Sequence, residues 1–160
     1  MIGKEHQYRF GLVWTGNQGS GTSNYRAYGR DHVVSATHKP DLLGSSDPAF
    51  RGDVTRWSPE DLLVVAVAQC HMLWYLHLCS SAGVIVTSYR DDPIGLLIEE
   101  DDGGGQFVSI TLRPTVVVSD TRMMTTAEFL HGEVGAKCFI ARSLNFPVQH
   151  QARITADLSR

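Results

Sequence analysis

Residues 58–83 read SPEDLLVVAVAQCHMLWYLHLCSSAG, and the fold follows from how that stretch is read. Ser58 can take an amide N–H as N-cap, Pro59 suits the first helical position, and Glu60 and Asp61 complement the positive end of a helix dipole. The pattern predicts a helix from Pro59 to about Ala82, stopped at Gly83. Such a helix is roughly 36 Å long at 1.5 Å per residue. From Leu62 to Tyr89 there is no Asp, Glu, Lys or Arg, so the helix is apolar on most sides and calls for a sheet or a partner helix as cover. The same run is long enough to be tested as a membrane span. Gln69, Cys70, His71 and His77 lie inside it, its N-terminal flank is acidic, and no basic cluster sets an orientation. A buried central helix needs fewer assumptions.

Strands are expected on both sides of this helix. Tyr8, Phe10, Leu12 and Trp14 share one parity, the period of a strand. Gly16–Gly21 breaks it as a hairpin loop, and extended segments are expected around Thr22–Gly29 and His32–Thr37. Lys39–Arg56 is rich in turn residues and reads as a long ordered loop. After the helix, Val84–Tyr89 and Ile94–Ile98 read as strands. Glu99–Gly105 is a hairpin turn leading into Gln106–Val118, where Pro114 marks an edge or a division. A second helix is expected from Thr126 to about Leu144, and a closing strand over Val148–Ala156. The fold class is therefore α+β, with two principal helices on a largely antiparallel sheet, in a single domain spanning residues 1–160.

Composition narrows the function. Of 160 residues, 42% are apolar and 19% charged, which supports a packed core. Net charge is −3 and the pI is near 6.1, which argues against duplex nucleic acid or an anionic membrane as the main partner. Met1–Phe10 has no apolar run of the kind a secretory signal needs. Three scattered cysteines do not make a disulfide framework and fit a reducing, cytoplasmic compartment.

Few residue groups carry chemistry. Gly16–Thr22 lacks the Gly-Lys-Ser/Thr ending of a phosphate loop. His71 and His77, six apart on a helix, diverge by about 120°, which is poor geometry for one metal, so no metal or cofactor is expected. They read as histidines bonded to backbone or water, or capping the buried surface. Cys70 sits mid-helix, where a small buried hydrophobe is the ordinary role for a cysteine. Reactivity there needs a thiolate, and the helix N-terminus is too distant to favour one, so a cation must come from outside the helix. Arg51 and Arg56 lie just upstream, and Glu60 could orient such an arginine through a bidentate pair. Glu60 and Cys70 are about 15 Å apart along one helix axis. Within one helix they cannot share a small site, but they could meet if two such helices pack antiparallel across a two-fold axis, Glu60 of one chain beside Cys70 of the other. Cys138 could resolve an oxidised Cys70 if the two backbones approach closely enough for a disulfide. Cys79, half a turn away from Cys70 around the helix, reads as packing.

Taken together, these residues resemble a known family. Ser58-Pro59-Glu60-Asp61-Leu62-Leu63 with Cys70 ten residues after the glutamate, then Gly83-Val84-Ile85-Val86, resembles the Pro-Glu-x-Leu…Cys signature of the OsmC/Ohr family. Gly135–Leu144 looks like that family's second cysteine helix, and Pro147-Val148 like the strand entry after it. The resemblance implies an OsmC-like fold and an intertwined homodimer with two active sites at its interface. It also implies thiol-dependent reduction of organic hydroperoxides in preference to hydrogen peroxide. By residue, it implies Cys70 as the peroxidatic thiol, Cys138 as the resolving thiol and Glu60 as the arginine-orienting carboxylate. For the arginine, Phe50-Arg51-Gly52 resembles the OsmC branch, whereas the Ohr branch would use Arg26 or Arg30. The longer intervening loop favours Arg51. The family's usual reductant is a lipoyl-type dithiol. Leu73, Trp74 and Leu76 beside Cys70 suit an alkyl tail, although core packing is the commoner job for such residues. The alternative reading is a non-catalytic dimeric domain binding a hydrophobic small molecule at the subunit interface, with structural cysteines. A serine-hydrolase elbow, Gly-x-Ser-x-Gly, is not present.

Overall fold

A computed structural model describes residues 3–157. The chain divides into two compact units, Met1–Leu62 and Leu63–Arg160. In the first, β1 (Gly11–Trp14), β2 (His32–Ser35) and β3 (Leu42–Gly44) form an antiparallel sheet in that order. The first strand begins at Gly11, later than the Tyr8–Trp14 alternation implies, and its four residues are all exposed. Between β1 and β2 the expected extended segment at Thr22–Gly29 is a series of turns. Asn17 Oδ1 accepts the N–H groups of Gly19 and Gly21 at 2.9 and 3.1 Å, and Asn24 Oδ1 accepts that of Arg26 at 2.9 Å. These local side-chain acceptors satisfy the backbone that a strand ladder would otherwise have used. The 39–56 loop is ordered as expected, but it contains β3 and a 3-10 turn at Pro48–Phe50 that Asp47 caps by accepting from Ala49 N at 2.7 Å.

Helix α1 runs Pro59–Ser81. Its start is a reciprocal cap: Asp61 N–H donates to Ser58 Oγ and Ser58 N–H to Asp61 Oδ2, both at 3.0 Å. Its end is a Schellman motif on Gly83, at φ +72°, with Val84 N–H on Cys79 O at 2.9 Å and Gly83 N–H on Ser80 O at 3.3 Å. Start and stop are where the sequence predicts them. By length and composition α1 would also be able to cross a membrane. Its buried positions, Val67, His71, Tyr75 and Cys79, recur every fourth residue and make one stripe.

The second unit carries two three-stranded sheets. β4 (Val86–Arg90), β7 (Thr115–Val118) and β9 (Arg153–Ala156) lie in the order β4-β7-β9; β5 (Ile94–Glu99), β6 (Gly105–Leu112) and β8 (Val148–His150) in the order β5-β6-β8. β4–β7 and β5–β6 pair antiparallel, while β6–β8 and β7–β9 pair parallel. These two sheets are therefore mixed, while most strand pairings among the described residues are antiparallel, as expected. Pro114 divides the expected Gln106–Val118 strand, since it has no N–H for a ladder. The closing strand divides with it. Gln151 N–H donates to Leu112 O and Arg153 N–H to Pro114 O, both at 2.8 Å, so the two segments change sheets together.

Helix α2 covers Met124–Val134 only. The expected helix to Leu144 stops because Gly132 and Gly135 weaken it. The chain then turns, with Lys137 and Cys138 N–H both on Val134 O at 2.8 and 2.9 Å, and continues into a 3-10 turn at Ala141–Ser143. Among the described residues two clusters form the core. Tyr75 and Cys79 of α1 pack with Val116 and Val118 of β7 and with Ala127, Leu130 and Val134 of α2. Val67 packs with Ile110 and Leu112 of β6.

Ser58→Ala removes one half of the reciprocal cap and is expected to cost about 1 kcal/mol. Urea unfolding should show a lower midpoint with an unchanged slope.

Candidate active site

The rotation of α1 places Cys70. With His71 and Tyr75 held in the buried stripe, Cys70 sits at its margin, half-buried. Cys138 lies in the turn after α2 and is 1% exposed. It is therefore not on a helix, as the sequence had implied, but the turn still brings it to Cys70. Cys70 is close enough to act on its thiol, and the Cys138 sulfur accepts the N–H of Ala141 at 3.4 Å. Burial, and then the neighbouring Cys70 thiol, push the Cys138 thiol up to about 11. All three cysteines are free thiols. Cys79 is buried beside Tyr75, and burial raises its thiol above the ordinary range.

The remaining expected site residues belong to the other unit. Glu60 stands in the first turn of α1, with its Oε2 atom buried and without a hydrogen-bond partner. Arg51 caps the 3-10 turn at φ +68° and is exposed, its guanidinium 6.0 Å from the Tyr25 ring. The other candidate cations have visible engagements. Arg30 lies over Tyr25 and Tyr28 at 4.3 and 4.2 Å. Arg56 Nε is 3.5 Å from Asp31 and 3.7 Å from Asp53, although its Nη1 is buried without a partner. Arg26 is exposed.

A histidine cluster adjoins Cys138 in the second unit. His71, read from sequence as bonded to backbone or water, instead meets His131 of α2: Nε2 and Nδ1 are 2.9 Å apart. The rings are near parallel at 9° with centroids 5.3 Å apart, so they face edge to edge and one N–H points along the other's lone pair. Tyr75 stacks face-on against His131 at 3.8 Å, and its hydroxyl donates to Ala127 O at 3.1 Å. His150, at the end of β8, is exposed, with its ring 5.9 Å from His71 and 5.7 Å from His131. Neither His131 nor His150 stands out in the sequence, because the elements that bring them to His71 are far away along the chain. The one local signal is that His131 shares the buried face of α2 with Ala127, Leu130 and Val134. His77 is exposed and packs edge-on to Trp74. Among the described residues no group of three or more His, Cys, Asp or Glu side chains is arranged to hold a metal ion.

A family model described as OsmC-like protein matches residues 52–153. The chain belongs to the OsmC-like family. No curated protein matches it. Among solved structures, an OsmC-like protein of unknown function from Vibrio cholerae is 25% identical, with a TM-score of 0.82, over 92% of this chain and 99% of that one. An organic hydroperoxide resistance protein from Elizabethkingia anophelis superimposes with a TM-score of 0.66 at 12% identity, over 96% and 100%. A protein of the same description from Legionella pneumophila gives 0.65 at 14%, over 94% and 99%. At those identities the last two establish the OsmC-like fold alone.

Burial holds His71 down to about 4, with the charge of His150 adding to the effect. His131 is held down to about 3 by burial, then by His71 and His150. Both are neutral in the folded chain at pH 7 and would take protons near pH 6.5 once unfolded. Their contribution to stability is therefore complete above about pH 6.5 and declines as pH falls toward 4 and 3, by a few kcal/mol in all. Urea midpoints measured from pH 8 down to pH 4 should drop below pH 6.5, and less steeply in His131→Phe.

Proposed function

We propose that this OsmC-like chain is a thiol-dependent peroxidase reducing organic hydroperoxides to alcohols. The observation that carries the reading is the neighbouring pair of Cys70 and Cys138 thiols, one half-buried and the other sealed. The Cys70 thiolate attacks the distal peroxide oxygen, the O–O bond breaks, and the alcohol leaves, so that Cys70 becomes a sulfenic acid. Cys138 then displaces hydroxide from that sulfur to give a disulfide, and an external dithiol, of lipoyl type by family analogy, restores both thiols. Arg51 takes the role of the cation facing the thiolate and Glu60 that of its orienting carboxylate. The unpartnered Oε2 of Glu60 fits a group whose cation comes from elsewhere. In this reading residues 1–160 act as one domain of a cytoplasmic homodimer, with Glu60 of one chain serving Cys70 of its partner. The large exposed apolar residues Leu73 and Phe139 supply surface for that interface or for an alkyl tail.

Cys138→Ser is expected to leave the first oxidation intact and stop turnover. Dimedone should trap its sulfenic acid, and Cys70→Ser should lose both steps. Sustained dithiol-driven turnover by Cys138→Ser would remove Cys138 from the resolving role. Absence of thiol loss in wild type after one equivalent of cumene hydroperoxide would favour the non-catalytic binding domain.

The shared site has its own test. Doubly tagged mixed dimers of Glu60→Ala and Cys70→Ser chains are expected to recover about half the wild-type rate, since one complete site per dimer is regenerated. A monomer by sedimentation at micromolar concentration would contradict the dimer.

A further inference from the structure

Beside Cys138 lies a cavity of about 110 Å³ that the thiol chemistry above does not use. Its walls include His71, His131, His150 and Cys138, with Gly132 and Gly135 opening the α2 side. Both glycines are exposed and a Cβ built on either would meet nothing within 4 Å, so the α2 side of the cavity opens toward solvent. His131 is 1% exposed, and its Nε2 is a buried polar atom with no hydrogen-bond partner. Leaving such an atom unpaired costs its desolvation energy with nothing in return. A polar cavity of this size has room for ordered water, which would remove that cost.

Cys138 has a specific need for such a cavity. Its thiol must lose a proton to attack the sulfenic acid, yet it is sealed from solvent, and burial disfavours its thiolate. We propose that the cavity is the proton path of Cys138, a water-filled chamber in which His131 Nε2 receives the thiol proton and the His71–His131 pair with His150 passes it to solvent. The proposal rests on the peroxidase reading.

The geometry suits a relay of neutral groups. In the tautomer with Nδ1–H on His131 and Nδ1–H on His71, His131 offers a free lone pair at Nε2 and donates along the 2.9 Å bond to His71 Nε2. A proton arriving at one end can therefore leave from the other without a lasting imidazolium. That matters because burial disfavours the charged form of both rings. The exit lies on the exposed side, where the His150 ring stands at the cavity wall. The groups facing His131 are Tyr75 and His71 from α1, His150 from β8 and Cys138 from the turn; none of them is a carboxylate.

The step balances. Cys70–SOH and Cys138–SH give the Cys70–Cys138 disulfide and one water. The S–O bond breaks and the S–S bond forms; the sulfenic sulfur is reduced as the Cys138 sulfur is oxidised. The Cys138 proton leaves through the cavity, while the departing hydroxide takes a proton from solvent at half-buried Cys70. Net proton change is zero. The hydroperoxide is the oxidant in the preceding step, and the dithiol is the reductant that reopens the disulfide.

The test is a two-step stopped-flow experiment with cumene hydroperoxide, separating sulfenic acid formation from disulfide formation. His131→Phe keeps a ring against Tyr75 and removes both nitrogens; His131→Ala leaves a hole that added imidazole can enter. Both are expected to form sulfenic acid at close to the wild-type rate and to slow the second step roughly 10²-fold. Imidazole should accelerate that step in His131→Ala only, an effect a purely structural role does not produce. Disulfide formation in wild type should also be slower in D2O. Wild-type-like second steps in both variants would overturn the relay and leave the peroxidase reading intact. If neither variant folds, a second step in wild type indifferent to D2O overturns it instead. A wild type that never forms the disulfide removes both readings.

Discussion

Everything at the candidate site depends on one rotational constraint, the angle at which α1 is locked about its own axis. Val67, His71, Tyr75 and Cys79 are four residues apart and all buried. Tyr75 is fixed at both ends, by its stack on His131 and by its hydroxyl bond to Ala127 O. With that face held inward, the neighbouring position must lie at the margin, and that position is Cys70. Its partial exposure follows from being one residue before a core histidine. A rotation of the helix would change the exposure of Cys70 and His71 together, since both are fixed to the same helix.

The core around that stripe is unusually polar for its position. Two neutral imidazoles and a tyrosine occupy volume that aliphatic side chains would fill at lower electrostatic cost. The arrangement is tolerable because the groups satisfy one another: one ring bonds the other in line, and the phenol bonds the backbone. The Nε2 atom of His131 is the exception, and it lies against the cavity. Most buried polar atoms in folded chains find a partner, ordered water included.

Much of the fold was legible because it is written in local signals. The capping box at Ser58 and Asp61, the glycine stop at Gly83, the hairpin at Glu99–Gly105 and the break at Pro114 each depend on residues within a few positions of one another. The errors have local causes as well. Asn17 and Asn24 bind nearby backbone and turn a segment that has strand-like composition. Gly132 and Gly135 end a helix whose apolar pattern continues past them, so Cys138 reaches Cys70 from a turn.

By itself, then, the sequence determined the long apolar helix, its two ends, the α+β class and the two cysteines worth watching, since propensity, capping and motif spacing act over short stretches of chain. Only tertiary structure decided which side of that helix faces inward, that the strands change sheets at Pro114, and that His71 finds His131 and His150 rather than backbone or water. His71 and His131 are sixty residues apart in the chain, and their meeting depends on how α1, α2 and β8 pack. No local pattern encodes that approach, because the energy that selects it comes from burying all three elements at once.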